Sequence, residues 1–220
     1  MSKKFPLKAS VWIFDLDDTL HNASAHIFPY INRAMTHYIM QELGLEEVPA
    51  NQLRQHYWRL YGATLKGLMR HHGTDPHHFL HQTHAYMDLP AMVIEARGLR
   101  QCLQQLQGRK VVFTNAPTQY ALRVLDLLGI RTIFETVFSV EFTHFHPKPA
   151  VRGFKQILKN LRVRPDHCIM VEDSLPALMT AKRLGMKTVY VTPTLQKPSY
   201  VDARISSVLA LPRVHLSHSY

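Results

Sequence analysis

The sequence predicts an α/β fold, a Rossmann-like parallel sheet core with helices on both faces, plus an inserted all-helical segment. Three observations predict it. Short runs of β-forming residues, Val11-Trp12-Ile13-Phe14, Lys110-Val111-Val112-Phe113, Cys168-Ile169-Met170-Val171 and Thr188-Val189-Tyr190-Val191, show little polar alternation, the habit of strands buried on both faces. From about residue 95 onward these runs alternate with helical patterns, which implies right-handed βαβ units and a parallel sheet. Between the first and second runs, residues 22–92 carry no strand signal.

Taken in order, the first strand runs straight into Asp15-Leu16-Asp17-Asp18-Thr19-Leu20. From about His26 to Gly44, Ile27, Ile31, Met35, Tyr38, Ile39 and Leu43 form a helical stripe. Pro49-Ala50-Asn51 is expected to break the chain, with Asn51 capping a second helix that runs to His72-Gly73. Asp75-Pro76 opens a third helix, with the proline in its first turn. The division expected is a core of residues 1–20 and 93–220 with a helical insertion of residues 21–92. In the second half, Leu99, Cys102, Leu103 and Leu106 mark a helix ending near Gly108, and a strand follows at Lys110–Asn115. A helix from Pro117 to Leu128 is closed by Gly129, and Thr136–Ser139 is a short strand. Pro149 starts a helix on Phe154, Ile157, Leu158 and Leu161. A strand at Cys168–Asp173 leads to a helix capped by Ser174 that ends at Gly185. Thr188–Val191 is a further strand, Ala203–Val208 packs on an edge, and the tail beyond Leu211 reads as loose.

Composition narrows the class. A chain of 220 residues holds one domain with a sizeable core and a modest insertion. Hydrophobic content of 46% with 19% charged residues is an ordinary globular balance. No apolar stretch reaches the ~18 residues of a membrane span, and Met1–Lys8 lacks the apolar region of a secretory signal. Cys102 and Cys168 fall in a helix and a strand and read as reduced structural thiols, which points to the cytoplasm. The formal net charge of +10 with 15 histidines favours anionic partners. The cations are scattered and form no zinc-finger or RNP-like pattern, so a small phosphorylated partner is expected rather than nucleic acid or membrane.

Three strands end in polar groups, and a parallel sheet gathers such ends at one rim. Asp15 and Asp17, two apart, point to one side where the strand continues through them. Three acids within four positions repel one another, and a hard cation such as Mg²⁺, which takes oxygen ligands, offsets that repulsion. Thr114 and Asn115 lead into a helix whose free N–H groups make an anion site, although a plain helix cap needs the same residues. Lys148, between Pro147 and Pro149, is fixed as a point charge for a phosphate and for crowded carboxylates. Glu172 and Asp173 end an apolar strand, where buried acids need a partner or a metal.

Asp15-Leu16-Asp17-Asp18-Thr19-Leu20 resembles the first motif, DxDx[TV], of the haloacid dehalogenase superfamily. Thr114 matches its second motif, Lys148 the third and Glu172-Asp173-Ser174 the fourth, so the resemblance spans residues 11–191. It implies a phosphohydrolase with a small helical cap inserted after the first motif, in the C1 position. Tyr61–Leu68, Phe113–Ala116 and Leu122–Gly129 are similar to the pyrimidine 5′-nucleotidase branch, and Ala177 stands where related chains often carry Asn.

The resemblance implies that Asp15 is phosphorylated and that Asp17 is the general acid and base. Mg²⁺ is then held by Asp15, the backbone carbonyl of Asp17 and Asp173, with Glu172 acting through water. Thr114, Asn115 and Lys148 hold the transferring oxygens, and an added candidate for substrate contact is Thr64. Nucleoside 5′-monophosphates are the expected substrates. Sugar phosphates of the phosphoglycolate type, or a phosphomutase reaction, fit the same core, and a silent nucleotide- or nucleic-acid-binding protein is the non-enzyme alternative. Lys66, Tyr57, Trp58 and Tyr61 are further candidates to meet the substrate, although Tyr57 and Tyr61 at helical spacing suit a core equally. Gly62-x-x-x-x-Gly67 lacks the Lys and Ser/Thr of a P-loop. The histidines at 71, 72, 77, 78, 81 and 84 lack the Cys or acids that would complete a zinc set, and read as a solvated basic face.

Overall fold

The computed structural model describes residues 11–85, 87–214 and 216. The expectations for Met1–Lys8 and for the last residues of the tail lie outside these. Among the described residues, six parallel strands form one sheet in the order β3-β2-β1-β4-β5-β6. The strands are β1 Val11–Phe14, β2 Arg109–Phe113, β3 Thr136–Phe138, β4 Cys168–Glu172, β5 Lys187–Val191 and β6 Ala203–Ile205. Strand β1 lies between β2 and β4, with Phe14 level with Val112 on one side and Val171 on the other.

Alternation along β1 explains why no polar residue interrupts it. Val11 and Ile13 face one hydrophobic cluster with Phe113, Phe154, Ile157 and Leu178. Trp12 and Phe14 face the other, with Leu103, Val124, Leu125 and Val189. Helices α6 (Leu99–Gln105) and α7 (Thr118–Leu127) cover one face, and α8 (Val151–Leu161) and α9 (Leu175–Arg183) the other. Ala177 is buried in the second cluster, and Cys102 and Cys168 are buried free thiols.

Between β1 and α6 come α1 Ile27–Leu43, α2 Glu47–Tyr61, α3 Thr64–His72, α4 Pro76–His84 and α5 Leu89–Met92. Helices α1 to α4 share a cluster of their own, built on Tyr38, Ile39, Tyr57, Leu68 and Phe79, with Val140 from the turn after β3. Asp75 caps α4 by accepting from the His77 N–H, as expected.

Several boundaries depart from the expectations. Pro49 does not break the chain: it is the third residue of α2, in a first turn that needs no N–H from it. The break is at Gly44, in the left-handed region at φ 64. Asn51 therefore lies inside α2, where its Oδ1 accepts from the guanidinium of Arg54. The single long helix expected up to Gly73 is divided at Gly62, which adopts φ 76 and closes α2 through a hydrogen bond to the Trp58 carbonyl. Ser174 precedes α9 without a side-chain cap, and α8 starts at Val151, two residues after Pro149. A short 3-10 segment, Val208–Arg213, carries the chain just past Leu211 and buries Val208 and Leu211, while most of the tail beyond it lies outside the described residues.

Candidate active site

The three adjacent strands β2, β1 and β4 end at one rim, and four of the expected residues meet there. The Asp15 backbone N–H extends the ladder to the Val171 carbonyl at 2.9 Å, fixing the direction of its side chain. Lys148 arrives on the connection between β3 and α8, and its peptide bond to Pro149 is cis. Its Nζ donates to Asp15 Oδ1 and Glu172 Oε2, each at 2.6 Å, and all three side chains are buried. The other Glu172 oxygen, Oε1, accepts from the Asp173 and Ser174 backbone N–H groups at 3.1 and 3.0 Å. Asp15, Glu172 and Asp173 each bring one oxygen to within 4.8 Å of the others.

One ammonium facing three carboxylates leaves the cluster short of positive charge. Burial first, and then the Glu172 charge, push Asp15 up to about 7 against the pull of Lys148. Burial likewise lifts Glu172 to about 7 and Asp173 to about 6. Burial disfavours the Lys148 charge, but Asp15 and Glu172 outweigh it and hold the ammonium above the ordinary lysine range. An all-oxygen donor set with excess negative charge fits a hard divalent cation.

Thr114 is buried, and its Oγ1 accepts from the Ala116 N–H at 3.0 Å, which leaves its own O–H proton for another acceptor. Asn115 differs from expectation. Its amide is committed to the backbone of Lys148: Nδ2 donates to the Lys148 carbonyl at 3.0 Å and Oδ1 accepts the Lys148 N–H at 2.7 Å. The start of α7 also differs. The Thr118 N–H donates to both carboxylate oxygens of Glu141, at 3.0 and 3.1 Å, so the chain's own acid fills the anion seat at that helix. Thr64 is buried and its hydroxyl donates to the Arg54 carbonyl at 3.0 Å.

A family model of haloacid dehalogenase-like hydrolases matches residues 10–185, most of the chain. The chain belongs to the haloacid dehalogenase-like hydrolases. Pyrophosphatase PpaX of Bacillus mycoides is 24% identical over 203 residues, covering 90% of each chain. Phosphate metabolism protein 8 of Saccharomyces cerevisiae is 26% identical over 146 residues, covering 61% of this chain and 44% of that protein. Validoxylamine A 7′-phosphate phosphatase of Streptomyces hygroscopicus is 29% identical over 126 residues, 55% of this chain and 59% of its own. The chain thus spans about half the length of the latter two relatives. Among solved structures, a HAD phosphatase from Thermococcus onnurineus superposes with a TM-score of 0.66 at 18% identity, covering 93% of this chain and 96% of that one. L-2-haloacid dehalogenase from Xanthobacter autotrophicus superposes with 0.60 at 15% identity, covering 93% and 97%.

In this hydrolase the surroundings of Asp17 carried no clear sequence signal. Asp17 Oδ1 lies 3.0 Å from His21 Nε2 and accepts the Tyr120 O–H at 2.5 Å. The four-residue spacing of Asp17 and His21 was the one available hint, whereas Tyr120 sits beside an apolar helical stripe and reads as core. Thr19 Oγ1 lies 3.5 Å from Asp15 Oδ2, and Asp18, at φ 58, accepts from the Ser24 backbone and hydroxyl.

The histidines of residues 71–84 do not converge. His71 and His72 bond the hydroxyls of Tyr61 and Tyr57. His78 bonds that of Tyr38, and His77 meets the edge of Phe145. His71, His72, His77, His78 and His81 are exposed, whereas His84 is half-buried beside Tyr120, where burial pushes it down to about 4. Tyr57 is core and Tyr61 packs against that core, while Trp58 is exposed. Among the described residues the acid cluster at the rim is the group arranged to hold a metal. No helix among them is long and apolar enough to cross a membrane.

Proposed function

We propose that the chain is a phosphomonoester hydrolase that works through an aspartyl-phosphate, with nucleoside 5′-monophosphates as its substrates. The observation that carries the reading is the buried ion triplet of Lys148 with Asp15 and Glu172, beside Asp173 and next to a separately held Asp17. Asp15 attacks phosphorus with a carboxylate oxygen, which divides one difficult displacement into two. Asp17 gives a proton to the leaving ester oxygen and later takes one from the water that releases phosphate. Lys148 and the Thr114 hydroxyl hold phosphoryl oxygens, and Asn115 serves them indirectly by clamping the Lys148 backbone.

Mg²⁺ would be held by Asp15, Asp173 and the Asp17 backbone carbonyl, where it supplies charge neutralisation between nucleophile and phosphate. Both Glu172 oxygens already have donors, which suits contact with the ion through water rather than direct ligation. Halide displacement needs no acid, so the held Asp17 favours ester hydrolysis over the dehalogenation named for one of the similar structures.

Residues 21–92 act as the substrate-selecting C1 cap. Support comes from the separate core of α1 to α4 and from the α2–α3 turn. There, a Cβ on Gly62 would lie 3.0 Å from the Pro149 ring and 3.4 Å from the Lys148 carbonyl. The nucleotide preference rests on the similarity of residues 61–68 and 113–129 to pyrimidine 5′-nucleotidases. A second reading, a sugar-phosphate phosphatase, is favoured by the relative named for validoxylamine A 7′-phosphate. Two buried free thiols suit the reducing cytoplasm.

The test is phosphate release from UMP, CMP, AMP and sugar phosphates with Mg²⁺, alongside Asp15→Asn. Pyrimidine monophosphates leading the panel, with loss of turnover in Asp15→Asn and in EDTA, is the expected result. Sugar phosphates leading would replace the nucleotidase by the second reading. No turnover of any ester by the folded protein would leave only the binding-protein alternative.

A further inference from the structure

Asp17 does not choose its own orientation. Its Oδ1 takes two hydrogen bonds, from His21 Nε2–H at 3.0 Å and from Tyr120 O–H at 2.5 Å. Both donors are buried, His21 at 5% exposure and Tyr120 at 3%. His21 Nδ1 is buried without a hydrogen-bond partner, so Nε2 is the ring's polar anchor and Asp17 is what it holds. An unmatched buried nitrogen is costly. A ring retained at that cost is over-determined by its other contacts. The backbone repeats the link, since Asp17 and His21 form an isolated parallel bridge that closes the loop after β1.

Tyr120 comes from the opposite direction, on α7. Burial first, then the Asp17 charge, push its hydroxyl upward, so it stays a donor throughout the working range. Its ring is seated edge-to-face against His84 of α4, with centroids 5.7 Å apart. Asp17 is thus gripped from its own loop and from α7, and both grips fall on the same oxygen.

We infer that Tyr120 and His21 are positioning residues that aim Asp17, committing Oδ1 to their two N–H and O–H groups so that Oδ2 is the oxygen that carries the transferred proton. The inference rests on the reading of Asp17 as general acid. In the step concerned, an Asp15 oxygen forms its bond to phosphorus as the P–O ester bond breaks. The bonding pair leaves with the ester oxygen, and the proton on Asp17 Oδ2 passes to that oxygen. In the second step Oδ2 recovers a proton from the attacking water. Without the two donors the carboxyl group turns freely, and its acid oxygen meets the leaving group only part of the time.

Leaving-group dependence tests this. An alkoxide leaves poorly and needs the proton, whereas p-nitrophenolate leaves well without it. The full chain with Mg²⁺ is assayed for kcat/KM, which reports steps up to aspartyl-phosphate formation, on its best alkyl phosphate and on p-nitrophenyl phosphate. Asp17→Asn is expected to lose at least about a hundredfold on the alkyl ester and less than about fivefold on the aryl ester. Tyr120→Phe, which keeps the ring, should lose about ten- to a hundredfold on the alkyl ester and less than about threefold on the aryl ester. His21→Leu should follow the same selective pattern, and His21→Gln, which restores an N–H donor, should recover most of the loss. Thermal melting of each variant checks that it is folded. Equal losses on both esters, or none on either, in Tyr120→Phe and His21→Leu would overturn the aiming role even if Asp17→Asn behaves as an acid variant. If Asp17→Asn is itself indifferent to the leaving group, the acid reading fails and the inference with it.

Discussion

Lys148 shows how much one side chain decides. Buried between Asp15 and Glu172 at 2.6 Å from each, it is the charge that lets two acids share a dry pocket. Replacing it by Met leaves both carboxylates buried without a counter-charge, and breaking such a pair costs on the order of 3–5 kcal/mol. Urea unfolding of Lys148→Met at pH 8 should show a loss of that size. The acids also predict a pH dependence. Asp15 and Glu172, at about 7, and Asp173, at about 6, all lie above the ordinary carboxylate range. Groups raised in the folded state contribute stability that is complete below their unfolded values and lost progressively as pH rises from about 4 to about 7. The melting temperature in EDTA should therefore fall over that window, and millimolar Mg²⁺ should restore it increasingly toward pH 8. A flat EDTA profile would contradict the charge deficit. His84 runs the other way. Held at about 4, it costs stability as pH falls below the ordinary histidine value, so His84→Gln should flatten the acid side of the same profile. The acids and Lys148 were legible in the sequence because each follows a strand or sits between prolines. The roles of Asn115 and Tyr120 were not, because their partners Lys148 and Asp17 are 33 and 103 residues away and nothing local announces them.

Among the helices, packing outranks propensity. Gly67 lies inside α3, where alanine would ordinarily be better by about 1 kcal/mol. A Cβ there would lie 2.2 Å from Tyr57 Cγ, in a ring that is buried and tied by its hydroxyl to His72 at 2.8 Å. The ring cannot swing aside cheaply, so Gly67→Ala should destabilise the protein by about 1–3 kcal/mol. Urea midpoints of Gly67→Ala alone and combined with Tyr57→Leu check this, since relieving the ring should recover much of the loss. The glycine that resembled part of a phosphate loop is therefore a contact between α2 and α3. The positions of β1 to β5 were readable to within a residue or two, because burial leaves a nearly continuous apolar run, whereas the edge strand β6 stops at Ile205, three residues short of the expected Val208. Helix ends were less so. Pro49 read as a break and Gly62 as the interior of one long helix, and only the tertiary course of the chain makes the first a first-turn residue and the second a left-handed stop.

At the scale of the whole molecule, a formal net charge of +10 belongs to a chain whose site is proposed to take a dianion. Attraction of that kind acts over a Debye length of about 10 Å at 0.1 M salt and shrinks as salt rises. The KM for a phosphomonoester should therefore rise several-fold between 20 and 500 mM KCl, while kcat changes little. Measuring both with an uncharged crowding agent as control separates screening from other solute effects. The parallel order was foreseeable from the alternation of runs and helices. The strand sequence β3-β2-β1-β4-β5-β6 was not, because the order of strands within a sheet leaves no periodic trace in the chain. That order puts the three strands bearing the reactive groups in the interior, each paired on both sides, with the short β3 and β6 at the margins. Opening free energy in a sheet is greatest where a strand must part from two neighbours. In a hydrogen–deuterium exchange experiment the amides of β1, β2 and β4, together with those of β5, should thus label after those of β3 and β6. The atoms that must stay in register to within fractions of an ångström are carried by the part of the molecule slowest to breathe.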